Sequence, residues 1–146
     1  MKAVDFDSWV FDNEYHKMLS NIYITHVWLF DKYQEILKKY SITMQQYNVI
    51  ALLNKLEVAD LQTIKNMQVE KTDATRLINR LKKKGLVTSR IDPDNKRKIQ
   101  VRLTAEGERL VTEISSEGPP FLDQVASKIL QSEAEELNRL LRKIRS

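Results

Sequence analysis

The chain has 146 residues, 42% of them hydrophobic and 30% charged, which is long enough for one domain with a real core. The absence of cysteine excludes disulfides, thiolate zinc sites and cysteine redox sensing, and the scarcity of glycine and proline, three each, favours helices over a sandwich or barrel of many tight turns. Twelve Lys/Arg against four acids give residues 62–102 a net charge of +8, so a chain of +4 overall is left with −4 elsewhere; such a basic module fits a polyanion, or a solvated lysine-rich face.

The N-terminus, MKAVDFDSWVFDNEY, has acids where a signal peptide needs an apolar run, and no segment approaches a membrane span, so a cytoplasmic location is expected. The first helix is expected from Asn13 to Lys39, with Leu19, Ile22, Tyr23, Val27, Phe30, Tyr33 and Leu37 among a broad apolar band of helical period. At 1.5 Å per residue it would run roughly 40 Å, more than a small domain needs, and its band is wide enough for burial on more than one side, as against a partner helix. Ser41 or Thr43 caps a second helix over Met44–Lys55, with Tyr47, Ile50, Ala51 and Leu53 inward. Residues 58–60 form a connector or a short edge strand. A third helix covers Leu61–Met67, with Leu61, Ile64 and Met67 as its stripe.

A fourth helix is expected from Lys71 to Lys84, buried through Ala74, Leu77, Ile78 and Leu81 and stopped by Gly85. The β-branched runs 86–91 and 98–103 flank Asp92-Pro93-Asp94-Asn95 and read as a hairpin. Thr104 opens a fifth helix with Leu110, Val111 and Ile114 inward, which Gly118-Pro119-Pro120 must interrupt. Helical pattern resumes at Phe121. Ser132 and Glu135 form a capping-box signature for a last helix that turns Leu137, Leu140, Leu141 and Ile144 inward. The fold class is thus mainly α with a small β-hairpin.

The third helix, a tight turn at Gln68-Val69-Glu70 and the fourth helix have the spacing of a helix-turn-helix, whose second helix enters the major groove. With the stripe inward, Thr72, Thr75, Arg76, Asn79 and Lys83 face outward. Thr72, Thr75 and Asn79 can bond base edges, and Arg76 can pair with guanine or hold a phosphate. Asp73 either accepts from cytosine or complements the positive helix N-terminus, and Arg80 suits an ion pair as well as a DNA contact. Lys82-Lys83-Lys84 also complement the helix dipole without any ligand. Lys96, Arg97 and Lys98 repel one another at a loop tip, which suits insertion beside phosphates or into a narrow minor groove.

The run MQVEKTDATRLINRLKKKGLV, the hairpin SRIDPDNKRKIQVRLTAEG and the closing LQSEAEELNRLLRKI together resemble the MarR family of winged helix-turn-helix regulators, over nearly the whole chain and in matching order. The resemblance implies one MarR-type domain over residues 1–146, in which 41–103 form the winged helix-turn-helix lobe and 1–40 with 104–146 supply dimerisation helices. It further implies a homodimeric, double-stranded DNA-binding transcriptional regulator, a repressor on a pseudopalindromic operator. The expected DNA-binding residues are Lys71, Thr72, Thr75, Arg76, Asn79, Lys83, Lys96, Arg97 and Lys98, of which the resemblance itself maps Thr72, Thr75, Arg76 and Asn79 to the recognition helix and Lys96 or Arg97 to the wing tip. The chain departs from the family in its wing, Asn95-Lys96-Arg97 where Asp-x-Arg is frequent, and in the Gly118-Pro119-Pro120 break, which bends the fifth helix and alters the lobe spacing.

Many relatives release DNA on binding a small aromatic effector between stalk and lobe. Tyr15, His16, Trp28, Tyr40 and Tyr47 are candidates for such a cleft here, although aromatics at helical spacing equally serve as core. His16 and His26, ten residues apart on one helix and roughly 15 Å along its axis, cannot share an ion within one chain, and no metal is expected. No Gly-rich phosphate loop, His-Glu metal motif or Ser/His/Asp arrangement is apparent, so neither an enzyme nor a cofactor is expected. The alternative to a DNA reader is a winged helix that docks an acidic protein partner.

Overall fold

The computed structural model describes residues 9–67 and 73–146, which fall into two compact units divided between Ser41 and Ile42. The first unit is built on α1 (Glu14–Lys39). Asn13 starts it, its side-chain oxygen accepting from the amides of Tyr15 and His16 at 3.0 Å, which satisfies two of the donors that a helix N-terminus leaves open. Leu37 is the buried residue of α1, whereas Tyr15, Met18, Leu19, Tyr23 and Phe30 are exposed within the chain.

The second unit begins with α2 (Met44–Leu56), opened by a reciprocal capping box: the Gln46 amide donates to Thr43 Oγ1 and the Thr43 amide to Gln46 Oε1, both at 3.2 Å. Of the two expected caps, Thr43 is the one used. Gln46, Val49, Ile50 and Leu53 form its buried face; Tyr47 and Ala51 are half-buried. After β1 (Ala59–Asp60) comes α3 (Leu61–Asn66), which stops one residue short of expectation. Met67 is its C-cap and is 59% exposed, so only Ile64 of the expected stripe is fully buried.

The fourth helix starts later than its sequence pattern suggests. α4 spans Ala74–Lys83, because the Asp73 carboxylate accepts the Arg76 amide at 3.2 Å and so takes the N-cap position rather than an interior one. Lys71, Thr72 and the expected turn at Gln68-Val69-Glu70 lie outside the described residues. Ala74, Leu77, Ile78 and Leu81 are buried as the stripe requires. At the other end Gly85, at φ +71°, lets the Leu86 amide reach Leu81 O (3.0 Å) and the Gly85 amide reach Lys82 O (2.9 Å), a Schellman closure that buries Leu86 beside Leu81.

β2 (Val87–Ile91) and β3 (Ile99–Leu103) pair antiparallel from Val87↔Leu103 to Ile91↔Ile99, and β1 adds to the other edge of β3 through Ala59↔Val101 and Asp60↔Gln100. The sheet order is therefore β1-β3-β2. Val87 and Val101 reach the core, whereas Ile91 and Ile99 are exposed, so the outer half of the hairpin stands clear of it.

α5 (Ala105–Ser116) is capped by Thr104, whose hydroxyl accepts from the Gly107 amide at 3.1 Å and donates to Gly85 O at 2.6 Å. Gly107, Val111 and Ile114 are its buried residues, and Leu110 is half-buried. The helix ends before Gly118-Pro119-Pro120, where α6 (Gly118–Ala126) begins with proline in its first turn, a position at which the missing amide costs nothing. α7 (Gln131–Arg145) follows. Its start differs from the expected Ser132 cap: the Leu130 amide donates to the Glu133 carboxylate at 2.7 Å, and Ser132 lies inside the first turn. The expected inward face of this helix is also corrected. Leu137, Leu140 and Ile144 are 52%, 40% and 46% exposed and Leu141 is half-buried, so α7 buries no residue within the chain. Among the described residues, no helix is long and apolar enough to cross a membrane.

Candidate nucleic-acid interface

With its apolar stripe turned inward, α4 presents Thr75, Arg76, Asn79, Arg80 and Lys83 outward, all exposed. Their side chains differ in what already holds them. The Arg76 Nε lies 3.4 Å from Asp73 Oδ2, one turn back on the helix, with the arginine 81% exposed. A pair this open is worth at most about 1 kcal/mol, so a competing phosphate or guanine can displace it. The three consecutive lysines also divide. Lys82 Nζ donates to Ser89 Oγ at 2.9 Å and Lys84 Nζ to the buried Gln46 Oε1 at 3.3 Å, which ties the end of α4 to β2 and to α2. Lys83, between them, is exposed.

The hairpin tip is organised by carboxylate and amide groups rather than by an internal Asp–Arg pair. Asp92 Oδ1 accepts the amides of Asp94 (2.8 Å) and Asn95 (3.3 Å), and Oδ2 accepts from the Gln100 side chain at 3.1 Å. Asn95 has a use of its own: its Oδ1 accepts the Arg97 amide at 3.1 Å and its carbonyl the Lys98 amide at 2.8 Å. The Asp92 amide closes the turn onto Lys98 O at 2.9 Å. The Asp94 amide is the main reason that the Asp92 carboxyl is held below its ordinary range, with Gln100, Asn95 and Lys98 acting in the same direction against the opposing effect of burial.

Between hairpin and helix runs an open groove lined by Asp60, Gln62, Lys65, Asp73, Thr75 and Arg97, with Leu61, Ala74, Lys98 and Ile99 completing its walls. The structure thus brings Thr75 of α4 together with Arg97 and Lys98 of the hairpin, while Arg76, Asn79, Lys83 and Lys96 lie outside that groove. Gln62 and Lys65 on α3, and Asp60 at its cap, are wall residues that the sequence reading did not single out; Lys65 was visible there only as one charge of the basic module. Asp60 Oδ1 accepts the Thr63 amide at 2.7 Å, and Oδ2 lies 3.4 Å from Lys98 Nζ. The Thr63 amide, followed by the Thr63 and Lys98 side chains, lowers the Asp60 pKa against the opposing effect of burial.

The effector candidates are divided between the units. Tyr15, His16, Trp28 and Tyr40 belong to the first and Tyr47 to the second. Tyr15 is exposed, His16 Nδ1 lies 3.3 Å from Asp12 Oδ2 with its ring edge-on to Phe11, and Trp28, Tyr40 and Tyr47 are half-buried.

Residues 42–99, the α2-to-wing segment, match the model of the MarR family. The HTH-type transcriptional regulator FarR of Neisseria gonorrhoeae is 36% identical over 91 residues, which make up 61% of this chain; the match spans 62% of the length of FarR. Among solved structures, a cysteine-to-serine mutant of MarR from E. coli complexed with operator DNA superposes with a TM-score of 0.80 at 22% identity, covering 93% of this chain and 99% of that one. NadR in complex with 4-hydroxyphenylacetate gives 0.72 at 26% identity, covering 93% and 97%. The lobe, the order of its elements and the solved structures agree: residues 42–99 match the MarR family model, and the chain has the fold of the winged helix-turn-helix regulators that it superposes on.

Proposed function

We propose that this chain is a sequence-specific, double-stranded DNA-binding transcriptional repressor that acts as a homodimer on a pseudopalindromic operator. The observation that carries the reading is the groove that Thr75 of α4 shares with Arg97 of the wing. A helix laid in a major groove and a cationic tip beside it must have the sugar-phosphate backbone pass between them, and this groove is open and lined by Lys65 and Arg97. Thr72, Thr75 and Asn79 contact base edges, Arg76 a guanine or a phosphate, and Lys71, Lys83, Lys96 and Arg97 the backbone. Two lobes on one dimer meet half-sites one or more helical turns apart, which is what makes the operator pseudopalindromic. The apolar residues that α1 and α7 each leave exposed support the dimer.

A phenolic effector is the finer part of the proposal. Its support is the NadR likeness, together with Tyr15, His16, Trp28, Tyr40 and Tyr47 as candidate contacts.

The experiment is a salt titration of binding to operator and random duplexes. A reader of this kind loses affinity steeply with salt, by a slope near −0.9 per phosphate neutralised, yet keeps a specificity ratio. Arg76→Ala should cost operator affinity selectively, and Arg97→Ala should weaken binding evenly across sequences. Unchanged operator affinity in both folded variants would leave the acidic-protein partner as the better reading.

A further inference from the structure

Lys98 looks from the sequence like the third cation of a DNA-gripping tip, but its ammonium is directed at Asp60, 38 residues earlier and 3.4 Å away. The carboxylate is well placed to hold it. One oxygen is fixed on the Thr63 amide at 2.7 Å, which leaves the other for the lysine, and the Asp60 side chain is 24% exposed against 53% for Lys98. The position along the chain matters as much as the pair. The β1–β3 ladder ends at Asp60↔Gln100, so this ion pair extends the attachment of the wing beyond its last backbone pairing, towards the tip. Lys98 is also part of the tip turn, since its carbonyl receives the Asp92 amide and its amide donates to Asn95 O. Whatever holds Lys98 therefore holds the turn that carries Lys96 and Arg97.

We infer that Asp60 is a positioning residue for the wing, which it fixes through Lys98 against the first turn of α3, so that Arg97 is aimed at the nucleic acid while Lys98 is not a phosphate contact. This rests on the DNA-binding reading, which its test keeps separate. The test compares wild type, Asp60→Asn, Lys98→Gln, the double variant and Lys98→Arg for binding to one mixed-sequence duplex across a salt series. Asparagine keeps the N-cap, so α3 is retained. Simple electrostatics predicts tighter binding when a carboxylate near a polyanion is removed. The positioning role predicts the opposite sign for Asp60→Asn, a loss of about threefold to fivefold, the scale of one exposed ion pair. It further predicts a similar loss for Lys98→Gln with the salt slope unchanged, a double variant no worse than either single one, and wild-type behaviour for Lys98→Arg. Tighter binding by Asp60→Asn, additive losses, or a slope reduced by about 0.9 in Lys98→Gln, as for a direct phosphate contact, would overturn it. A second readout needs no DNA: backbone amide exchange at Arg97 and Lys98 should quicken in both single variants of the free protein. Unchanged exchange refutes the positioning role. If wild type bound no duplex at all, the functional reading would fail, and the exchange result would still decide the role of Asp60.

Discussion

Two glycines of the second unit are required for opposite reasons, and substitution separates them. Gly85 has nothing within 4 Å of the place where a Cβ would stand, but its φ is +71°. Gly85→Ala should therefore cost about 1–2 kcal/mol, with Gly85→Asn recovering part of it, because asparagine tolerates the left-handed region. At Gly107 an added Cβ would overlap the Leu86 carbonyl oxygen, a backbone atom that cannot swing aside, with Leu103 Cδ2 3.1 Å away. Gly107→Ala should cost about 1–3 kcal/mol, and no small side chain should rescue it. Urea denaturation of the four proteins checks both, and equal losses for Ala and Asn at Gly85 would refute the conformational argument. Asp73 is the third residue of interest, because its carboxylate both caps α4 and engages Arg76. Asp73→Ser keeps a cap and frees the arginine, so duplex affinity should rise by up to about fivefold. Anisotropy titration measures this; unchanged affinity in a fully helical variant would mean that the pair does not compete with DNA.

At the scale of elements, the wing is held by carboxylates. Asp60 and Asp92 both have pKa values lowered in the folded state, Asp60 chiefly by the Thr63 amide and Asp92 chiefly by the Asp94 amide. A lowered folded-state value means that the stabilisation is present above the unfolded-state pKa and is lost as pH falls through the folded one. The wing should thus be unaffected between neutrality and about pH 5 and should loosen below about pH 4, ahead of the buried helical core. Residue-resolved amide signals of Asn95, Arg97 and Lys98 followed against pH report this. Simultaneous loss of wing and core signals would show that the carboxylates do not act locally.

At the scale of the molecule, α7 has no fully buried residue within its own chain. A 15-residue helix with a leucine and isoleucine stripe and no buried residue supports the proposed dimer. Sedimentation should find a dimer at micromolar concentration, and Leu137→Glu should convert it to a monomer with the lobe still folded, since that leucine supports no core. Operator affinity should then fall by more than an order of magnitude, because the second lobe no longer binds at the high effective concentration set by the first. A folded Leu137→Glu protein that remained dimeric would exclude α7 from the interface.

What is local or periodic in this protein can be read along the chain. The stripe of α4, the cap at Thr104, the stop at Gly85 and the turn at Asp92 each rest on groups a few residues apart, and their physics is complete within one turn of chain. The resemblance to the MarR family was legible for the same reason: its signature is an order of such local pieces. Boundaries and partners were less legible. The start of α4 moved to Ala74 because Asp73 could cap as well as extend, and Met67, placed inward by its spacing, became an exposed C-cap. Packing between elements settles which charges remain available to a ligand. Lys82, Lys84 and Lys98 look alike in a count of cations, yet each has its ammonium at an acceptor 7 or 38 residues away. A side chain's reach is a few ångströms, and what lies within that distance is set by how the elements pack, which spacing along the chain does not encode.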